Sequence, residues 1–273
     1  MNNLKTVVLL ATLSGLLVAV GGALGGAGGA MVFFVISLLM NLGSYWFSAD
    51  IVLRTSRAHE ITRDQDPPLF NLVERVATEA GMPMPRVYIM ESPQPNAFAT
   101  GRNPKNAAVA VTTGIRALLT ERELRGVLGH EMAHVKNRDI LTSSIVASIA
   151  SAISMIGWMA LWFGGSRREG GGIGALVAVI VAPIAATLIQ LGISRSREYQ
   201  ADLDGARTVG DPEALASALA KLEMGAKRVQ MPVPESTAHL FIVNPLRGGM
   251  SGLFSTHPPT EERVRRLRNM TSS

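Results

Sequence analysis

Two histidines, His130 and His134, stand four residues apart and bracket a glutamate, Glu131. On a helix the i, i+4 spacing turns both imidazoles to one face, where their nitrogens can reach a single zinc ion at about 2.0–2.1 Å. Glu131 then points to the water side. There it can take a proton from the zinc-bound water as that water attacks a peptide carbonyl. By chance such a pattern turns up in roughly one chain in a hundred of this length. The residues around it argue for a helix: Thr120 is followed three positions later by Glu123, a capping box, so a helix starts near residue 121 and carries the motif. With neither proline nor glycine between Lys136 and Ser143, that helix is expected to run straight on into the apolar block that follows.

A catalytic zinc takes three protein ligands and leaves a fourth place open. Cysteine is absent, so thiolate ligands, thiol nucleophiles and disulfides are all excluded and the third ligand must be His, Glu or Asp. The sixth residue after His134 is Ile140, which cannot serve. The segment from Ser196 to Asp202 offers two carboxylates at i, i+4, one turn beyond an apolar block. Glu198 is placed to bind the metal, with Asp202 orienting a ligand histidine from behind. Surface pairing of these carboxylates with Arg195 and Arg197 is the competing reading on charge pattern alone. Position decides for the metal, because the apolar blocks before Glu198 and after His134 end on the same side.

Three histidines remain. His59 lies among Arg57, Glu60 and Arg63 and reads as solvated; His239 adjoins an apolar run and reads as packed. His257 heads the run His257-Pro258-Pro259-Thr260-Glu261-Glu262-Arg263, where two prolines fix its direction. It, or Arg263, is expected to approach the zinc and stabilise the oxyanion, the plainer role being to open the last helix.

The elements that must hold these residues follow from composition. The 273 residues are 47% hydrophobic and only 17% charged, with 27 glycines, which departs from an ordinary soluble enzyme. The apolar residues gather in four blocks, roughly 5–27, 30–48, 140–163 and 173–194. Each is about 20 residues long and matches a ~30 Å hydrocarbon core. The first could be a cleaved signal sequence, but a second block follows at once, which favours a hairpin with the Gly25 to Gly29 run as its turn. Pro183 and Gln190 interrupt the fourth block, so a partly inserted second hairpin would satisfy the same pattern.

Four spans divide the chain into an N-terminal hairpin (1–48), a polar region (49–139), a second hairpin (140–194) and a second polar region (195–273). Of 26 Lys and Arg, only Arg167 and Arg168 fall outside the shared side, which leaves 26 − 2 = 24 together. That side is expected to be the cytoplasm, with His134 about one and a half turns from lipid. The net charge of +5 is explained by this bias and by anionic lipid; with 5% aromatics and no basic stripe, nucleic acid is not an expected partner. Within the polar regions the pattern predicts an amphipathic helix over 67–80, β-prone runs at Val87 to Met90 and Ala107 to Thr112, a helix from Asp211 and Pro212 to about 229, a loop over 230–257 and a polar helix within Thr256 to Met270. The fold class is therefore mainly α with a small β-sheet: four transmembrane helices and a cytoplasmic metalloprotease domain.

Taken together, His130-Glu131-Met132-Ala133-His134, the Ser194 to Asp202 segment, Pro95-Asn96-Ala97-Phe98-Ala99 and the Thr256 to Arg263 segment resemble the HtpX family of bacterial heat-shock membrane metalloproteases, of the zincin type. The resemblance covers nearly the whole chain. It implies one Zn²⁺ held by His130, His134 and Glu198, Glu131 as general base and Asp202 behind a ligand. It also implies cleavage of damaged or misassembled membrane proteins at the cytoplasmic face of the inner membrane. On that resemblance, Asn96, Ala97 and Phe98 look like part of the edge strand on which substrate backbone pairs, with Arg263 a further substrate contact. Other membrane proteostasis factors are open as partners.

A protease cutting inside the bilayer would need its metal motif within an apolar span, whereas Glu121, Arg122, Glu123, Arg125, Lys136 and Arg138 surround this one. A prenyl-protein protease implies more spans than four. A silent scaffold or transporter with a structural zinc would need a fourth protein ligand and would gain nothing from Glu131.

Overall fold

The computed structural model describes residues 2–139, 195–228, 242 and 258–271. Two compact units separate between Ser48 and Ala49. The apolar blocks 140–163 and 173–194, His239 and His257, and all of the expected 230–257 loop except Ile242 lie outside the described residues.

The first unit is described through one long element, α1 (Asn2–Thr55), which continues past Ser48. It is not one straight rod. Gly25 and Gly26 leave helical geometry, with Gly26 at φ 59, ψ −147, a conformation that residues with a Cβ avoid. The break is tighter than the Gly25 to Gly29 turn expected, since Gly28 and Gly29 are already helical. The two arms then meet. A Cβ on Gly21 would fall 2.6 Å from the Gly29 carbonyl oxygen and from Phe33, and Asn41 Nδ2 donates to Ser14 Oγ at 2.9 Å. Small residues that admit close backbone approach, with polar side chains bonding across, are how helices associate where lipid removes the hydrophobic drive. Gly25–Gly43 is the one stretch among the described residues that is long and apolar enough to cross a bilayer, and Met31, Phe34, Leu38, Leu39 and Leu42 on it are exposed.

The second unit pairs a sheet with a helical layer. The strands β1 (Ala58–Ile61), β2 (Arg86–Met90), β3 (Ala97–Gly101) and β4 (Ala107–Thr112) stand in the order β1-β2-β4-β3. β2 and β4 run parallel, with Val87 opposite Val109, while β3 folds back antiparallel on β4, with Ala99 opposite Val109. The chain thus goes out to the sheet edge as β3 and returns as a central strand. All six residues of β4 are buried, because both sheet faces are covered. Ala97, Ala99, Val109 and Val111 face the main core, and Phe98, Ala108 and Ala110 pack with Tyr88 and Leu53 on the other face. β1 was not expected from sequence; its inward and outward residues do not alternate, and His59 is exposed on it.

The helices are α2 (Pro67–Glu79), α3 (Thr113–Leu118), α4 (Glu121–Asn137), α5 (Arg195–Val209), α6 (Pro212–Arg228) and α7 (Thr260–Thr271). Capping sets most starts. Asp66 accepts from Leu69 N ahead of Pro67, and Asp211 accepts from Ala214 N ahead of Pro212. α4 lies at the centre, packed against α2, α5, α6 and β3. It does not run on as expected. It ends at Asn137, where Arg138 enters the left-handed region (φ 58, ψ 27) and its N–H turns back to the His134 and Val135 carbonyls.

The start of α4 is pinned more firmly than a cap requires. Glu123 accepts from Thr120 N at 2.9 Å, from Ser217 Oγ at 2.6 Å and from Lys221 Nζ at 2.7 Å, tying α4 to α6. Burial alone would raise the Glu123 carboxyl, but Lys221, Ser217 and Thr120 together hold it down at about 2. A depressed carboxylate contributes stability that is present above its unfolded value near 4.3 and is lost as pH falls toward about 2. Glu123→Gln should therefore cost about 1–3 kcal/mol at neutral pH and flatten the acid limb between about pH 4.5 and 2. Thermal melts of detergent-solubilised protein across that range check it.

Candidate active site

α4 and α5 supply the residues singled out in the sequence, and what lets them converge is a pair of glycines. A Cβ on Gly205 would fall 2.6 Å from His130 N and 2.7 Å from His130 Cα, and one on Gly129 would fall 2.5 Å from Val209 Cγ2 and 3.0 Å from the Gly205 oxygen. The two helices thus touch backbone to backbone at the first histidine. Gly126 allows α6 the same approach, its position for a Cβ lying 2.7 Å from Leu215 N.

At this crossing His130 and His134 place their rings edge to face, with centroids 4.6 Å apart. Their Nε2 atoms are 3.1 Å from each other, and Glu198 brings Oε1 to 3.4 Å from His134 Nε2 and Oε2 to 3.8 Å from His130 Nε2. One ligand atom from each of the three residues lies within 4.8 Å of the others. Tetrahedral donors at zinc distances sit about 3.3 Å apart, so the three atoms fit one such cation. Two imidazoles and a carboxylate are also the right donor chemistry for it.

Each ring has a carboxylate behind it. His130 Nδ1 lies 2.9 Å from Asp202 Oδ1, without the alignment of a hydrogen bond, and both residues are buried. Asp202 is gripped from its far side by Arg263, whose Nε donates to Oδ2 at 2.8 Å and whose Nη2 donates to Oδ1 at 2.7 Å. Burial would push the Asp202 carboxyl up, but Arg263 holds it well below the usual carboxylate range. His134 Nδ1 is 3.3 Å from Asp139 Oδ2. Burial would lower the His134 imidazole, but Glu198 and Asp139 overcome this and push it up to about 10. Carboxylates so placed favour positive charge beside the imidazoles, and a metal cation can supply it.

Glu131 is 7% exposed and is anchored to the sheet, its Oε2 accepting from Ala99 N at 2.9 Å. Burial raises its carboxyl above the ordinary value, against the pull of both histidines. The N–H of Ala99 is therefore directed to α4 from the edge strand.

Two other sequence expectations fall on described residues. Arg263 is 1% exposed, donates to Asp202 and, at 3.1 Å, to the Ile242 carbonyl, and brings Nη1 to 4.0 Å from Glu198 Oε2, so it does lie beside the candidate donors. Asn96, Ala97 and Phe98 are buried too: Asn96 Oδ1 accepts from Ile242 N, its backbone N–H and carbonyl are both bonded to Thr112, and Phe98 faces the far side of the sheet. Asp139 was missed altogether. Its signal is faint: an Asn-Arg-Asp run closing the helix, where asparagine and aspartate favour helix ends.

Residues 63–271 match peptidase family M48. The chain belongs to that family, among its HtpX-type members. It is 53% identical to the Protease HtpX homolog of Syntrophotalea carbinolica over 99% of both chains. It is likewise 53% identical to that of Syntrophobacter fumaroxidans, over 97% of this chain and 98% of the relative, and 52% identical to that of Pelotomaculum thermopropionicum over 99% of both. Among solved structures it is similar to S. mikatae Ste24p, at a TM-score of 0.51 and 19% identity, over 87% of this chain and 57% of that one, a likeness of fold alone. As an M48 peptidase the chain is a membrane metalloprotease acting on polypeptides, and the family implies a metal.

Because Gly205 admits no side chain, Gly205→Ala should cost about 1–3 kcal/mol by overpacking and should displace the His130 backbone. A lowered melting temperature together with reduced metal content by elemental analysis is the expected outcome; a fully metal-loaded variant with an unchanged melt would contradict it.

Proposed function

We propose that the chain is a zinc endopeptidase of the bacterial inner membrane that hydrolyses misfolded or damaged membrane proteins at the cytoplasmic face. The observation that carries this reading is the convergence of His130, His134 and Glu198 donors within 4.8 Å, beside a buried Glu131 tethered to the edge strand. His130, His134 and Glu198 would hold one Zn²⁺, which when bound supplies an acidified water and a polarised peptide carbonyl.

The chain's own residues do the rest. Glu131 is the general base, and burial fits it for that work by raising its carboxyl toward the working pH. Ala99 N–H holds the carboxylate at a fixed place on the rim of the sheet. Substrate backbone would lie along β3 by strand addition beside Ala97 and Phe98, with Asn96 bracing the start of that strand through its bonds to Thr112 and Ile242. Asp202 steadies His130, and Arg263 acts through Asp202 as a positioning residue rather than on substrate. An oxyanion role for His257 rests on sequence alone.

Among the described residues the cluster has three donors and no fourth, which supports a catalytic site over a structural one. Placement at the cytoplasmic face is supported by 26 − 2 = 24 Lys and Arg sharing one side in a four-span, multi-pass arrangement with regions at 1–48, 49–139, 140–194 and 195–273. Substrates in the same membrane suit an enzyme so anchored.

Purified full-length protein should contain about one zinc per chain and should clip unfolded casein. Glu131→Gln should keep the metal while activity falls at least about 10²-fold, and His134→Ala should lose the metal itself. Undiminished cleavage by Glu131→Gln would remove the general-base assignment, and full zinc retention by His134→Ala would remove the metal site.

A further inference from the structure

Asp139 is buried, 5% exposed, five residues beyond His134, at a position a continuous helix could not use. Five residues at about 100° each leave a side chain roughly 140° round the axis and about 7.5 Å further along, on the wrong face for contact. Contact is nevertheless made, with Asp139 Oδ2 at 3.3 Å from His134 Nδ1. What makes it is the break at Arg138, whose left-handed conformation ends α4 one residue before Asp139 and so takes Asp139 off the regular helical path.

We infer that Asp139 is a positioning residue for His134 and that the left-handed turn at Arg138 is the device that delivers it. The inference rests on the reading of His134 as a metal donor. A carboxylate on Nδ1 fixes the ring so that Nε2 faces outward, and Nε2 is the atom turned to His130 Nε2 and Glu198. Asp139 also reaches the other helix, its Oδ1 lying 3.8 Å from Arg197 Nη1, one residue before Glu198. The pair therefore ties the end of α4 to the start of α5, the two places from which donors come. It mirrors the arrangement at His130, where Asp202 is in turn held by Arg263. The backbone conformation is also unusual for its residue. Arginine carries a Cβ that crowds the left-handed region, and such outliers persist where the surroundings enforce them.

The test is zinc affinity of the full-length protein in detergent, measured by competition with a chromophoric chelator, so that binding is read independently of turnover. Asp139→Ala should weaken zinc binding about 10- to 100-fold. Asp139→Asn, whose amide oxygen still accepts from Nδ1, should recover most of that loss. Arg138→Gly, which keeps the backbone path open, should bind zinc as the parent does, whereas Arg138→Pro should resemble Asp139→Ala. If Asp139→Ala proves unfolded by circular dichroism, Asp139→Ser, whose shorter side chain stops short of Nδ1, carries the decision: a loss of affinity relative to Asp139→Asn supports the role. Zinc affinity within twofold of the parent for folded Asp139→Ala, or for Asp139→Ser, overturns it. Retention of zinc by His134→Ala would instead strike the metal site, leaving the two failures distinct.

Discussion

The site depends on how close two helices can come. α4 carries both histidines and α5 the glutamate, and three donor atoms can share one cation only if the backbones nearly touch at His130. Gly129 and Gly205 provide that contact, since a side-chain carbon at Gly205 would sit 2.6 Å from the His130 nitrogen. Everything downstream is set by it: the reach of Glu198, the distance of Asp202 from Nδ1, and the placing of Glu131 against β3. Gly126 repeats the device where α6 crosses, and the Glu123 network locks that second crossing in register.

Charge is the second constraint. Glu131, Glu198, Asp139 and Asp202 are all buried around the two imidazoles, and four carboxylates so placed would repel one another without compensation. Compensation comes partly from arginine. Arg263 closes on Asp202 with two hydrogen bonds and stands 4.0 Å from Glu198, and Arg197 approaches Asp139. Glu131 instead accepts a backbone N–H from Ala99, and burial keeps its carboxyl raised against that bond and the pull of both histidines. Asp202 and Asp139, proposed to position the histidines, face arginines, whereas Glu131, proposed to move a proton, has no arginine or lysine ion pair among the described residues.

Much of this was legible in the chain because it is written in local spacing. The i, i+4 histidines, the Thr120 and Glu123 capping box, the Asp211-Pro212 start and the Glu198 to Asp202 pair each need only a helix to acquire meaning, and each is found on or at the end of one. The β2 and β4 runs were readable from their β-branched content. What could not be read depends on contacts between distant segments. β1 has no alternation to announce it, and its strand character comes from pairing with β2. The grip of Arg263 on Asp202 spans 61 residues, and the direction of that side chain is fixed by tertiary packing.

The end of α4 shows the same limit in a more instructive way. Absence of proline and glycine argued for a helix running on past Asn137, since these residues are the usual punctuation. A helix end needs only a residue driven into the left-handed region, and asparagine or glycine merely lowers the cost. At Arg138 the surroundings enforce that conformation: its N–H is bonded to the His134 and Val135 carbonyls, and the residue after it is held between an imidazole and a guanidinium. Propensity arguments measure what a segment prefers when nothing else acts on it. Here a half-buried imidazole and a half-buried guanidinium act on it, and the departure from local preference falls beside the face that gathers His130, His134 and Glu198, where it brings in a carboxylate that a regular helix could not place.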